Sequence, residues 1–265
     1  MKLHLSPCPN DTFTFHAMIC GLVDTEGLTF EPVFDDIDAL NAAAVDRPDG
    51  EEIVKISYAA LPEAAGSFRL LESGSALGFG NGPLLVSKRR IGVGELAGAS
   101  IGIPGERTTA NRLLSILFPE ARRRVVRLFS DIAPAVAAGE LDAGVLIHEG
   151  RFTYAAQGLQ LVADLGGEWE KRTGLPIPLG GIVLNRRFPV ETARQVGRII
   201  RRSIKYAQTH PEASADYVKA HAQELDPEVR RKHITFFVND YSLSLGTEGY
   251  RAVERLTGLS AEAFR

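Results

Sequence analysis

Hydrophobic and polar positions follow two different periods along the chain. Short runs of apolar, mostly branched residues predict β-strands near residues 2–5, 28–33, 53–56, 84–87, 100–103, 143–147, 159–165 and 182–185. Segments with helical spacing separate these runs, and four more follow the last strand, at about residues 190–208, 211–221, 229–238 and 246–256. Strands and helices that alternate in this way predict an α/β fold.

The strand pattern also predicts two lobes. A crossing near Ser87 and a return near Ile182 divide the chain into lobe I, residues 1–86 and 184–265, and lobe II, residues 87–183. A ligand is then expected in the cleft between the lobes. Residues 74–82 are rich in glycine but do not form a dinucleotide-binding fingerprint, because Pro83 and a strand follow them instead of a helix. We interpret this segment as a flexible approach to the first crossing.

The composition limits the classes of partner. Of the 265 residues, 45% are hydrophobic and 24% are charged, as in an ordinary globular enzyme. The formal net charge is −3 and the pI is about 6.1, so the sequence carries no electrostatic signature of a nucleic-acid or anionic-membrane partner. The arginine clusters at residues 122–124 and 201–202 are predicted to lie on solvated helix faces. The expected partner is a small-molecule substrate, and the sequence leaves the oligomeric state open.

The cysteines indicate a reducing compartment. Cys8 and Cys20 are too few for a disulfide framework and lack the C-x-x-C spacing of zinc or redox sites. The N-terminal residues read as a short strand without the apolar region of a signal peptide, and no apolar run is long enough to span a membrane. We therefore expect a cytoplasmic protein.

The most distinctive candidate for catalysis is His148. A helix over residues 132–138, capped by Ser130 or Asp131 and stopped by Gly139, leads into the buried strand at residues 143–147. His148 follows that strand at its carboxyl end, where ligands bind in open α/β sheets. Because the unperturbed pKa of histidine lies near neutrality, His148 is a candidate general base. The same position also suits a histidine that only caps or positions, and the pattern alone leaves both roles open.

Polar residues follow two other predicted strands. Ser6 comes after the first strand, and Asn10 or Asp11 is predicted to cap the helix that follows. Lys55, Ile56 and Ser57 end the third strand, and Ser57 is predicted to cap the next helix. A hydroxyl, a backbone N–H group and an ammonium at this position could contact a polar substrate, although Lys55 could equally face solvent.

Thr108 and Thr109 begin a predicted helix that runs to about residue 118. No Gly-Lys pair precedes them, so the segment is not a nucleoside-triphosphate P-loop. Two hydroxyls and the unpaired N–H groups of a helix N-terminus are suited to a carboxylate. Simple N-capping accounts for one threonine and leaves the other for a ligand.

No metal site is predicted. Asp35, Asp36 and Asp38 resemble a carboxylate cluster, but acidic residues are common in the first turn of a helix, and no further ligand follows at a suitable spacing. His148 and Glu149 do not form a zinc-protease motif, because Phe152 occupies the position of the second histidine.

Four motifs resemble, in order along the chain, those of the 1,4-dihydroxy-6-naphthoate synthase family of the futalosine route to menaquinone. They are Ser6-Pro7-Cys8-Pro9-Asn10-Asp11-Thr12-Phe13, Lys55-Ile56-Ser57-Tyr58, Arg107-Thr108-Thr109-Ala110 and His148-Glu149-Gly150-Arg151-Phe152-Thr153-Tyr154. The resemblance covers nearly the whole chain. It implies a two-lobed type II periplasmic-binding-protein-like fold with mixed sheets.

The resemblance also implies a reaction, in which cyclic dehypoxanthinyl futalosine is split into 1,4-dihydroxy-6-naphthoate and a three-carbon dihydroxyacetone-type fragment without metal or redox cofactor. It assigns proton abstraction to His148. It assigns substrate contacts to Lys55, Ile56, Ser57, Thr108 and Thr109. The roles of Asp11, Arg151 and Tyr154 remain open.

Two other functions are compatible with the same residues. Chorismate dehydratase, a second enzyme of the route, is expected to share the fold and to need no cofactor. A non-catalytic solute-binding protein could use every contact named above to hold a ligand, although the absent signal-peptide pattern argues against it.

Overall fold

The computed structural model describes residues 1–222 and 226–265 and divides the chain into two units. Unit 1 comprises Met1–Gly78 and Pro178–Arg265, and unit 2 comprises Phe79–Ile177. The chain leaves unit 1 within the glycine-rich residues 74–82. Each unit has its own β-sheet with helices packed against it.

The first part of unit 1 begins with the strand predicted at the N-terminus. Its elements are β1 (Lys2–Leu5), α1 (Pro9–Ile19), β2 (Glu31–Phe34), α2 (Ile37–Asp46), a 3₁₀ helix (Pro48–Gly50), β3 (Ile53–Ser57), a 3₁₀ helix (Tyr58–Ala60), α3 (Leu61–Ala64), β4 (Phe68–Leu70) and β5 (Ala76–Gly78). Helix α1 starts at Pro9, a residue type suited to the first helical position. The prediction that Asn10 or Asp11 caps this helix was therefore wrong, because both lie inside it and are buried.

Unit 2 contains the middle third of the elements. They are β6 (Leu84–Ser87), a 3₁₀ helix (Val93–Ala97), β7 (Ile101–Ile103), α4 (Thr109–Leu117), β8 (Arg124–Val126), α5 (Phe129–Ala138), β9 (Ala143–Leu146), α6 (Gly150–Thr153), a 3₁₀ helix (Tyr154–Gln157), β10 (Gln160–Asp164) and α7 (Leu165–Thr173). Two local predictions were wrong. Arg124 begins a strand and not a helix, and α5 starts three residues before the predicted position, with Pro134 in its interior.

The chain then returns to unit 1 and becomes mainly helical, as predicted. The elements are β11 (Ile177–Asn185), α8 (Val190–Thr209), a 3₁₀ helix (Pro211–Ser214), α9 (Ala215–His221), α10 (Pro227–Phe237), α11 (Asp240–Leu243), α12 (Gly246–Thr257) and α13 (Ala261–Phe264). Strand β11 is longer than the predicted residues 182–185. It includes Gly180 and Gly181, where a Cβ atom would lie 2.6 Å from the Ile56 carbonyl oxygen and 2.9 Å from the Tyr58 hydroxyl, respectively.

The sheet of unit 1 is mixed, in agreement with the expected fold class. Its strand order is β2-β1-β3-β11-β4, and β5 also pairs with β11. Strand β1 is parallel to β2 and β3, whereas β11 is antiparallel to β3 and β4. One face of α8 packs onto this sheet through Val196, Ile199, Ile200 and Ile204, which share a helical stripe.

The sheet of unit 2 is also mixed, with the order β10-β6-β9-β7-β8. Strand β7 is parallel to β8 and β9, and β6 is antiparallel to β9 and β10. The lobe boundary expected at residue 86 falls inside β6, and the one expected at residue 183 falls inside β11. The apolar spacing predicted both strands but does not show which sheet each of them joins.

Candidate active site

In unit 1, the ends of two neighbouring parallel strands bring the first group of candidate residues together. Leu3 and His4 of β1 pair with Ile53 and Val54 of β3. The carboxyl ends of both strands therefore lie at the same edge of the sheet. Ser6 follows β1 there, and Lys55, Ile56 and Ser57 form the end of β3. All four of these candidate residues are buried.

The Lys55 ammonium points into the protein and not into solvent, which settles the question that the sequence left open. Its Nζ atom donates to Asp11 Oδ1 at 2.8 Å, and both side chains are less than a tenth exposed. Asp11 Oδ1 also accepts from Asn10 Nδ2 at 2.9 Å, and its Oδ2 accepts from the Ser6 hydroxyl at 2.7 Å. The Asp11 carboxylate thus holds an ammonium, an amide and a hydroxyl in fixed positions.

The network around Asp11 extends to a distant histidine. His233 of α10 is 1% exposed, and its Nε2 atom lies 2.9 Å from the Asn10 side-chain oxygen. Because that oxygen is an acceptor, Nε2 carries the donated proton. Asn10 therefore links His233 to Asp11, and the start of α1 is tied to α10.

Ser57 is held by a residue that the sequence reasoning did not select. The buried side chain of Asn41 in α2 accepts from the Ser57 backbone N–H at 2.8 Å and donates to the Ser57 hydroxyl at 3.1 Å. The Ser57 hydroxyl does not cap the following 3₁₀ helix, contrary to prediction. Since Asn41 donates to the Ser57 oxygen, the single hydroxyl proton of Ser57 is left to donate in another direction.

In unit 2, the second group also follows neighbouring parallel strands. Ile101 and Gly102 of β7 pair with Ala143 and Gly144 of β9. The segments after both strands therefore leave the same edge of the sheet, and they contain residues 108–109 and His148.

Thr108 is the N-cap of α4, as the N-capping interpretation predicted for one of the two threonines. Its hydroxyl donates to the Gly105 carbonyl oxygen at 2.8 Å and accepts from the Asn111 backbone N–H at 3.3 Å. The hydroxyl proton of Thr108 is thus used within unit 2, and only a lone pair of its oxygen remains for a ligand. Thr109 is buried at the first helical position, in the turn whose N–H groups have no carbonyl partner within the helix.

His148 lies two residues beyond β9, in an unusual backbone conformation. Its φ angle is +53°, in the left-handed region that non-glycine residues rarely adopt. Its ring is half-buried and meets the ring of Phe129 edge-on, with the centroids 5.0 Å apart. Phe129 is the first residue of α5, which begins earlier than predicted. Strained backbone of this kind occurs preferentially at functional sites.

The residues that follow His148 are anchored inside unit 2. The Arg151 guanidinium donates to the Gly82 carbonyl oxygen and lies 3.7 Å from the Asp164 carboxylate. Burial lowers the pKa of Arg151, and the Asp164 charge opposes that shift. Tyr154 packs against the apolar core of the same unit. These contacts give Arg151 and Tyr154 structural roles in holding the segment after His148.

The acidic cluster predicted to begin α2 does so. Asp36 is its N-cap, and one oxygen accepts from the backbone N–H groups of Asp38 and Ala39 at 2.8 and 3.1 Å. In residues 1–222 and 226–265, no three His, Cys, Asp or Glu side chains are grouped as a metal ion would require. None of the helices in these ranges is both long enough and apolar enough to cross a membrane.

The two-unit architecture is that of the periplasmic binding proteins. The structure is similar to the alkanesulfonate-binding protein of Xanthomonas axonopodis pv. citri, with a TM-score of 0.66 and 14% sequence identity. The match covers 89% of this chain and 84% of that protein's chain. At that identity the likeness concerns the fold alone. It confirms the fold class expected from the sequence.

The sequence comparison gives the family. Residues 1–262 match the menaquinone biosynthesis family. A 1,4-dihydroxy-6-naphthoate synthase of Thermus thermophilus is 44% identical over 257 residues, which cover 97% of this chain and 92% of the relative. A second one, of Streptomyces coelicolor, is 40% identical over 262 residues, which cover 97% and 91%. The chain belongs to the menaquinone biosynthesis family, and the resemblance drawn from its four motifs is confirmed.

Proposed function

We propose that this protein cleaves cyclic dehypoxanthinyl futalosine into 1,4-dihydroxy-6-naphthoate and a three-carbon dihydroxyacetone-type fragment, with His148 as general base. The near full-length similarity to two 1,4-dihydroxy-6-naphthoate synthases supports the reaction. The observation that carries the role of His148 is its left-handed backbone conformation two residues after a buried strand. The fold holds the imidazole there against a conformational preference.

In the proposed reaction, the imidazole takes the proton of a substrate hydroxyl. The electron pair of that O–H bond forms a carbonyl group, and the adjacent C–C bond breaks. Its electrons pass into the ring system, which becomes an aromatic naphthol, while the imidazolium holds the proton for return. General-base catalysis of this kind contributes roughly 10²- to 10⁴-fold to the rate.

The proposed substrate contacts are Lys55, Ile56 and Ser57 in unit 1, and Thr108 and Thr109 in unit 2. Lys55 and Ser57 both present donors, because the ammonium keeps two N–H groups beyond its bond to Asp11 and Ser57 keeps its hydroxyl proton. Such donors suit carboxylate and hydroxyl oxygens of the substrate. The N–H groups at the start of α4 have the same preference. Asp11 and Asn41 act through Lys55 and Ser57 as positioning residues.

The proposal includes a cytoplasmic location and no requirement for a metal or redox cofactor. Both cysteines have free thiols in the structure, in keeping with a reducing compartment. Cell fractionation with an antibody against the protein tests the location. Recovery of the protein outside the cytoplasmic fraction would contradict it.

The reaction is tested by incubating purified, chelator-treated protein with cyclic dehypoxanthinyl futalosine and following absorbance and mass. We expect the naphthoate product and loss of a three-carbon unit without any added cofactor. Intact substrate bound without turnover would instead indicate a solute-binding protein, a role that the fold similarity to the alkanesulfonate-binding protein makes the main alternative. Loss of water from chorismate, with no effect on the futalosine compound, would indicate chorismate dehydratase.

A further inference from the structure

Unit 1 contains a concave surface that the proposed reaction does not use. It is a groove of about 610 Å³ between the end of β4, one face of α8 and Tyr250 of α12. We call it the arginine groove, because the following five arginines line it: Arg69, Arg194, Arg198, Arg201 and Arg265. Glu72 is the one acidic side chain among its described lining residues. This excess of positive charge contrasts with the net charge of −3 of the whole chain.

The groove is separate from the candidate site residues of unit 1. Arg69 is on the same rung of the sheet as Leu184 of β11, which in turn pairs with Ile53. Ile53 is the first residue of β3, whereas Ser57 is the last. Arg69 and Ser57 are therefore at opposite ends of the sheet.

Among the described residues, three of the arginines have no acidic side chain as an ion-pair partner. Arg194 pairs with Glu191 at 3.3 Å, and Arg198 pairs with Glu26 at 2.9 Å. Within the described parts of the chain, Arg69, Arg201 and Arg265 form no ion pair with an acidic side chain.

Arg69 has a buried donor atom that lacks an acceptor among the described residues. It is the middle residue of β4, between the buried Phe68 and Leu70. Its Nε atom is enclosed, and no hydrogen-bond acceptor for it lies among the described residues. The charge of Arg69 also adds to the effect of burial that lowers the pKa of Arg186. A buried donor without a partner is unfavourable unless a ligand or water supplies an acceptor.

The groove lining also contains a glycine of α8, Gly197. It lies in the middle of the 20-residue helix α8, where glycine is a poor helix former. A Cβ atom at this position would have no neighbour within 4 Å, so no close packing within unit 1 requires glycine. Gly197 lines the groove between Arg194 and Arg201, and its missing side chain leaves room there.

We propose that the arginine groove binds a small multivalent oxyanion, a metabolite that carries phosphate or carboxylate groups. Guanidinium groups match both kinds of oxyanion through paired N–H donors. Arg194, Arg198 and Arg201 follow one another at helical spacing along one face of α8, so that one ligand can meet several of them. The Arg69 Nε atom would gain the acceptor that the described residues do not give it.

The test is calorimetric titration of the full chain at low ionic strength with pyrophosphate and, separately, with citrate. We expect single-site binding of at least one probe, and the stronger of the two identifies the preferred oxyanion. The variant Arg201→Gln removes an exposed guanidinium and should weaken binding about tenfold, the effect of losing one charge-assisted hydrogen bond. Gly197→Leu should abolish binding by filling the groove.

The matched control is Arg251→Gln, which removes an exposed arginine of α12 outside the groove lining. It should bind both probes like the unmodified protein. A second variant at the same position, Gly197→Ala, should raise the unfolding temperature, because alanine favours the helix. The proposal is overturned if neither probe binds at millimolar concentration, or if Arg251→Gln weakens binding as much as Arg201→Gln does. Turnover of the proposed substrate does not enter this test.

Discussion

Lys55 donates a hydrogen bond to Asp11 at 2.8 Å in the interior of unit 1, and the pair joins the end of β3 to the first turn of α1. An enclosed charge is unfavourable without a partner of opposite sign. The pair therefore fixes the direction of the ammonium as well as joining the two elements.

Replacing Asp11 by Asn should lower the free energy of unfolding by about 3 kcal/mol, because it leaves the buried ammonium without an anionic partner. Urea unfolding measures this loss. The single variant Lys55→Met and the double variant complete a mutant cycle. We expect the double variant to be more stable than the sum of the two losses predicts, and strictly additive losses would contradict a coupled pair.

Asn41→Asp tests the direction of the Ser57 hydroxyl. A carboxylate can still accept from the Ser57 backbone N–H, but it cannot donate to the hydroxyl oxygen. The Ser57 proton should then turn toward residue 41 and away from the substrate. Steady-state kinetics should show a higher KM, by about tenfold for the loss of one hydrogen bond.

The control for this experiment is Ser57→Ala, which removes the same donor directly. Its KM should rise by a similar factor, and the double variant should be no worse than either single one. An unchanged KM in Asn41→Asp would show that the hydroxyl does not face the substrate.

Thr108→Ala should reduce stability, because the Thr108 hydroxyl caps α4. Loss of a threonine N-cap costs about 1 kcal/mol. Thermal unfolding should show the loss in Thr108→Ala and recover it in Thr108→Ser, which keeps the capping oxygen. A full loss in both variants would mean that the methyl group, and not the cap, carries the effect.

His16 gives stability a pH dependence of known sign. Burial lowers the pKa of this imidazole in the folded protein, so the unfolded chain binds a proton first as the pH falls. Above about pH 6.5, the usual pKa of histidine, His16 is neutral in both states and costs no stability. As the pH falls below that value toward the folded pKa, the unfolded chain takes up the proton and stability is lost. Urea unfolding at pH 8 and pH 5 should therefore show a smaller drop for His16→Gln than for the unmodified protein. An equal or larger drop in the variant would contradict the shift.

The positions of candidate residues at strand ends were predictable because apolar runs reveal strands and polar residues mark their ends. Lys55, Ser57 and His148 were selected in this way, and Thr108 was selected as the start of a predicted helix. The partners of Lys55 and Ser57 were not predicted, because a hydrogen bond across the fold leaves no local pattern. Asn41 is 16 residues from Ser57.

Local signals also failed where tertiary contacts decide the conformation. Asn10 and Asp11 are residue types that favour an N-cap, yet their side chains form hydrogen bonds with His233 and Lys55 instead. Gly180 and Gly181 resemble a loop in sequence. They belong to β11, because the close approach of Ile56 and Tyr58 excludes any side chain there.

The central claim is that His148 removes the proton that starts C–C cleavage. His148→Asn tests it most directly, because asparagine also tolerates the left-handed conformation and should leave the fold of this turn intact. With cyclic dehypoxanthinyl futalosine as substrate, kcat should fall by about 10²-fold or more while KM stays similar. A kcat close to that of the unmodified protein would contradict the assignment.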